Sequence, residues 1–247
     1  MSHPQTGDCG VRIGADLPSC PMALVVAHRG ASALHPPGNT LAAFAAATAL
    51  GADWVELDVH ALADGSLVVH HDPTLPDGRP LGDLRLEDLP DWVPTLSDAI
   101  TSCGQLGVNV EIKGDGPLHL RPALIADTVA LLRSVGDPDR FLITSFEWEI
   151  IEAVRALAPE LLTGFLTMDL ALTDDLLDRV ARAGHDAINP WDPVVSGTFV
   201  DAAHARGLAV NVWTVDEPDR IADLLAMGVD GIITNLPDRC RQLISAE

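Results

Sequence analysis

Basic residues are scarce in this chain: 15 lysines and arginines stand against 36 aspartates and glutamates, a formal charge of -21. A surface of that sign repels nucleic acid and anionic lipid headgroups, and no basic run offers a local exception, so neither a polynucleotide partner nor stable membrane association is expected. Long apolar runs are missing too. No segment reaches the roughly 18 unbroken apolar residues of a membrane span, and Met1 to Pro21, which contains Asp8, Arg12 and Asp16, lacks the apolar stretch of a secretory signal or anchor. The expectation is a cytoplasmic protein, with an irregular segment over 1–22 ahead of one catalytic domain over 23–247. Cys9, Cys20, Cys103 and Cys240 form no C-x-x-C pair, which argues against a structural zinc site and leaves free thiols as the plain reading. No G-x-G-x-x-G or P-loop string occurs, so the usual dinucleotide and nucleotide cradles are excluded. The oligomeric state is left open.

What the chain does have is regular alternation. At 247 residues and 47% hydrophobic it can bury a full core. Strand-like runs fall at Leu24 to Ala27, Trp54 to His60, Val108 to Ile112, Phe141 to Thr144, Leu161 to Leu166, Asp186 to Asn189, Ala209 to Thr214 and Gly231 to Thr234. Amphipathic segments lie between them, from an Ala-rich helix opened by Thr40 to a last one over Pro237 to Ala246. Asp64-Gly65 is a tight-turn signal, so Leu67-Val68-Val69 reads as a small β-hairpin excursion after the second strand. Eight β/α units in this length predict a closed (β/α)8 TIM barrel.

Chemistry-bearing residues cluster at the ends of the early strands. In the second strand Trp54, Glu56, Asp58 and His60 share one face and Val55, Leu57 and Val59 the other, so the carboxylates point into the barrel. The same parity turns Asn109, Glu111 and Lys113 inward on the next strand. Buried carboxylates are costly unless compensated. Three acids against the two bases Arg29 and Lys113 favour a hard divalent cation, Mg²⁺ or Ca²⁺, over the alternative of an ion-pair network. His28 and His71, at strand ends beside these acids, suit proton transfer, and Arg29 suits an anionic oxygen, which together point to metal-assisted attack on a phosphate ester. His60 and His70 read as supporting groups. Trp213, at the mouth of the seventh barrel strand, and Asn235, after the eighth, are expected to line the substrate pocket; core packing and loop structure are the respective alternatives.

The strings His28-Arg29-Gly30, Asn39-Thr40-Leu41, Glu56-Leu57-Asp58-Val59, His71-Asp72, Glu111-Ile112-Lys113, Val212-Trp213-Thr214-Val215 and Thr234-Asn235-Leu236-Pro237, in this order, resemble the glycerophosphodiester phosphodiesterase family. The resemblance implies a (β/α)8 barrel with Glu56, Asp58 and Glu111 as metal ligands, His28 and His71 as the acid/base pair, and Arg29 and Lys113 as phosphate contacts. It implies hydrolysis of a small anionic glycerophosphodiester to an alcohol and sn-glycerol 3-phosphate. Two rival functions are a phospholipase D-like enzyme acting on lysophospholipids and a glycerophosphodiester-binding barrel without turnover. Gly38 stands where the family usually has Glu, and the expectation is that Gly38→Glu acts mainly on apparent affinity, provided the backbone there does not require positive φ.

Overall fold

The computed structural model describes residues 22–245, so Cys9, Cys20, the start of the chain through Pro21 and Ala246 lie outside the described residues. Nine strands form one sheet in the order β1-β9-β8-β7-β6-β5-β4-β2-β3, and pairing of β1 with β2 closes eight of them into a barrel. The barrel strands are β1 (Leu24–His28), β2 (Trp54–Ala61), β4 (Gly107–Ile112), β5 (Phe141–Ser145), β6 (Leu162–Thr167), β7 (Ala187–Pro190), β8 (Ala209–Val212) and β9 (Gly231–Thr234), all parallel to their neighbours. The ninth, β3 (Leu67–Val69), folds back antiparallel on β2, as the Asp64-Gly65 turn predicts.

Helices α1 (Leu41–Ala49), α2 (Leu96–Ser102), α3 (Arg121–Val135), α4 (Trp148–Leu157), α5 (Asp174–Arg182), α6 (Gly197–His204), α7 (Pro218–Met227) and α8 (Pro237–Ile244) follow the barrel strands. Their starts are written in the sequence. Thr40, Thr95, Thr173 and Ser196 each cap a helix by accepting a backbone N–H, and Pro opens α7 and α8 where its missing N–H costs nothing.

Two apolar layers follow from strand parity. The outward Val55, Leu57, Val59, Val108, Val110 and Ile112 pack against helices, whereas Leu24, Val26, Trp54, Leu142, Ala187 and Ile233 fill the barrel interior below the functional end. Trp54 also explains Gly107: a Cβ there would stand 2.1 Å from Trp54 Cε2, so the close approach of β4 to the indole requires glycine. With its interior plugged, the barrel offers chemistry only at the end where its strands finish. Among the described residues no helix is long and apolar enough to cross a membrane, and Cys103 and Cys240 are buried free thiols whose pKa burial pushes up to about 12.

Candidate active site

Register brings the inward acids together. His28 is the lateral partner of Glu56 across β1 and β2, and Asp58 that of Glu111 across β2 and β4. Carboxylate oxygens of Glu56, Asp58 and Glu111 lie within 4.8 Å of one another, all three residues being buried. Lys113 Nζ sits 2.7 Å from Asp58 Oδ1 and 2.5 Å from Glu111 Oε1, while Arg29 Nε lies 3.4 Å from Asp58 Oδ2.

Charges do not balance in this cluster. Asp58 takes most of the compensation: burial alone would raise its pKa, but Lys113 and Arg29 outweigh that and hold it at about 2. Glu56 is left with the Arg29 backbone N–H, 3.0 Å from Oε2, and burial together with Asp58 and Glu111 pushes its pKa well above the ordinary range. Burial and Asp58 likewise raise Glu111, because Lys113 is shared between two acids. Three carboxylates face two bases, so one negative charge is in excess in a place where it is expensive. The donor set is all oxygen and carries this unmet charge, which fits a hard divalent cation.

The loop after β1 shapes the cluster from above. Arg29 and Asn39 both hold positive φ, 56° and 53°, a conformation uncommon for non-glycine residues. Asn39 uses it to donate from Nδ2 to Asp58 Oδ2 at 2.6 Å. Between them Gly38 has φ of 80°, and a Cβ there would stand 2.9 Å from the Cβ atoms of both Arg29 and Ser32. The proviso attached to Gly38→Glu therefore fails, and the expectation of a mainly affinity effect is corrected: this glycine is a backbone requirement of the loop. Gly38→Glu should displace Arg29 and Asn39, costing about 1–3 kcal/mol of stability and lowering activity with it. Thermal melts beside kinetics check this; a variant as stable as the parent would contradict it.

The two histidines have different partners. His28, at the end of β1, places Nε2 3.9 Å from Glu56 Oε2 and Nδ1 2.7 Å from Asn235 Oδ1. Burial and the nearby Arg29 lower its pKa to about 4. His71, half-exposed beyond β3, places Nδ1 2.7 Å from Asp72 Oδ1, and this hydrogen bond lowers the Asp72 pKa. His60 and His70 hold the backbone here: His60 Nε2 lies 3.3 Å from the His71 carbonyl oxygen and His70 Nδ1 2.8 Å from that of Asp72.

Trp213, the other expected lining residue, donates from Nε1 to the Asn189 carbonyl at 2.8 Å and stacks edge-on with the exposed Phe146. Asn235 is half-buried, lines a cavity with Arg29, Ser32 and Asp216, and has both ends of its amide hydrogen-bonded within the protein. Sequence reasoning assigned no role to Asn39, Asp72 or Asp216. The first two stand inside the strings Asn39-Thr40-Leu41 and His71-Asp72, and Asp216 follows Trp213-Thr214-Val215 directly.

Comparison with known proteins identifies the family. Residues 28–239 match the model of the glycerophosphoryl diester phosphodiesterase family. The chain belongs to that family. It is accordingly a hydrolase of the phosphodiester class. It is 31% identical to probable glycerophosphodiester phosphodiesterase 2 of Mycobacterium tuberculosis, over 90% of this chain and 91% of the relative. A glycerophosphodiester phosphodiesterase of Caldanaerobacter subterraneus is also 31% identical, over 90% and 97%. Among solved structures, an Oleispira antarctica phosphodiesterase in complex with the product sn-glycerol-3-phosphate superposes with a TM-score of 0.82 at 26% identity, covering 91% of this chain and 97% of that one.

Proposed function

We propose that this protein hydrolyses a glycerol-3-phosphate diester to an alcohol and sn-glycerol 3-phosphate, with Glu56, Asp58 and Glu111 holding Mg²⁺ or Ca²⁺. The observation that carries the reading is the buried carboxylate trio with one charge in excess, set at the functional end of a barrel of this family. A divalent cation bound there would lower the pKa of a hydroxyl and neutralise charge developing at phosphorus.

The chain's own groups supply the rest. Lys113 Nζ has three hydrogens and two carboxylate partners, so one donor remains for a phosphate oxygen. The Arg29 guanidinium, about a quarter exposed beside Asp58, offers planar donors to the same group. His28 is suited to accept a proton, since its partner is a neutral amide and burial disfavours its cationic form. His71 is suited to donate one to the leaving oxygen, since the Asp72 carboxylate accommodates an imidazolium. Trp213 and Phe146 offer the non-reacting part of the substrate an apolar face. All of these groups stand on the barrel strands and the loops that follow them.

The direct test is release of sn-glycerol 3-phosphate from glycerophosphocholine, with a lysophospholipid as the competing substrate and EDTA in a parallel series. Turnover of glycerophosphocholine that EDTA removes and either cation restores is expected. No release at saturating cation would overturn the reading, and preference for the lysophospholipid would replace its substrate class.

A further inference from the structure

The three adjacent barrel strands β8, β9 and β1 carry a hydrogen-bond chain that reaches His28 from outside the acidic cluster. Asp216, in the loop after β8, accepts from the Asn235 backbone N–H at 2.8 Å and from Thr234 Oγ1 at 2.8 Å on Oδ1, and from Asn235 Nδ2 at 2.7 Å on Oδ2. Asn235 Oδ1, on the far side of the amide, accepts from Ser32 Oγ at 2.9 Å and faces His28 Nδ1 at 2.7 Å.

We infer that Asp216 is a positioning residue for His28: it locks the Asn235 amide in one sense, so that the imidazole carries its proton on Nδ1 and presents a bare Nε2 to the site. An Asn amide fits either way round until a neighbour chooses. A carboxylate has no hydrogen to give here, so the flipped amide would set oxygen against oxygen, and only Nδ2 can face Asp216. Oδ1 is then committed to the imidazole side, where it demands an N–H. The nitrogen left without hydrogen is Nε2, on the Glu56 side. This inference rests on the reading of His28 as proton acceptor, for which a proton on Nε2 would be the wrong tautomer.

Asp216→Asn keeps the size of the side chain and removes its insistence on a donor. It should lower kcat on glycerophosphocholine by about 10- to 100-fold, the usual range for a group that orients another, with KM within about threefold. Imidazole ¹⁵N resonances, assigned to His28 by difference from His28→Gln, should move from the Nδ1–H pattern toward Nε2–H. The swap Asp216→Asn with Asn235→Asp restores an acceptor facing Nδ1, since the introduced amide can donate to the introduced carboxylate, and it should recover the Nδ1–H pattern and much of kcat. Retained kcat with an unchanged tautomer would overturn the inference. So would a loss confined to KM, which would make Asp216 a substrate contact, or a lowered melting temperature with kcat per folded molecule intact, which would make it structural. A parent inert on every glycerophosphodiester would defeat the functional reading alone, because the tautomer is read without turnover.

Discussion

Glu56→Gln is expected to abolish the response to divalent cations and to lower turnover by at least about 10²-fold, while leaving the cation-free protein as stable as the parent or more so. Loss of a group that merely supports a ligand typically costs 10- to 100-fold in affinity or activity, which sets a floor for a direct ligand. Stability moves the other way because of the unbalanced charge. The Glu56 pKa is raised in the folded state by burial and by Asp58 and Glu111, so the folded protein holds a proton that the unfolded chain releases. Its contribution is fully present below the ordinary Glu pKa and is lost as pH rises toward the folded value, at up to about 1.4 kcal/mol per pH unit for one group. In EDTA the parent should therefore lose stability with rising pH above the ordinary carboxylate range. Saturating Mg²⁺ or Ca²⁺ should remove that slope and add about 2.7 kcal/mol at a hundredfold excess over Kd. Glu56→Gln should gain no stability from the cation and should show a shallower slope in EDTA, the part due to the raised Glu111 carboxyl remaining. Melting curves against pH, with and without cation, check this beside the kinetics. Equal activity in EDTA and in added metal, or a variant that still gains stability from the cation, would refute the metal site.

Much of this site is legible in the order of residues along the chain, and for a definite reason. Parity in β2 and β4 turns Glu56, Asp58, Glu111 and Lys113 inward without reference to anything distant, and the parallel register then makes Asp58 and Glu111 neighbours. Strand and helix positions are legible for the same kind of reason: Leu67–Val69 follows Asp64-Gly65, and Pro218–Met227 begins at a proline and ends at Gly228. Loops obey no such period. Asn39 reaches Asp58 only because its backbone is left-handed, and Gly38 permits that turn. The last link of the chain from Asp216, between Asn235 and His28, joins positions 207 residues apart where β1 lies against β9, and strand parity says nothing about which way an amide faces.

His71→Ala and His28→Ala should each lower turnover of glycerophosphocholine by about 10²- to 10⁴-fold, the usual contribution of a positioned acid or base, but only one of the two losses should depend on the leaving group. A choline alkoxide is a poor leaving group and needs a proton as the phosphorus–oxygen bond breaks. A p-nitrophenolate does not. If His71, backed by the Asp72 carboxylate, delivers that proton, then His71→Ala should recover to within about tenfold of the parent on a p-nitrophenyl ester of glycerol 3-phosphate. His28→Ala should stay impaired on both substrates, because activating the nucleophile is required whatever departs. His204→Ala is the control, since His204 lies on α6 and pairs 2.8 Å from Asp230, away from the acidic cluster; its turnover should stay within about twofold of the parent, as for a surface change remote from the chemistry. Recovery of His28→Ala but not His71→Ala on the aryl ester would reverse the assignment, with His28 as acid and His71 as base. Two variants equally impaired on both substrates would show that neither histidine serves the leaving oxygen.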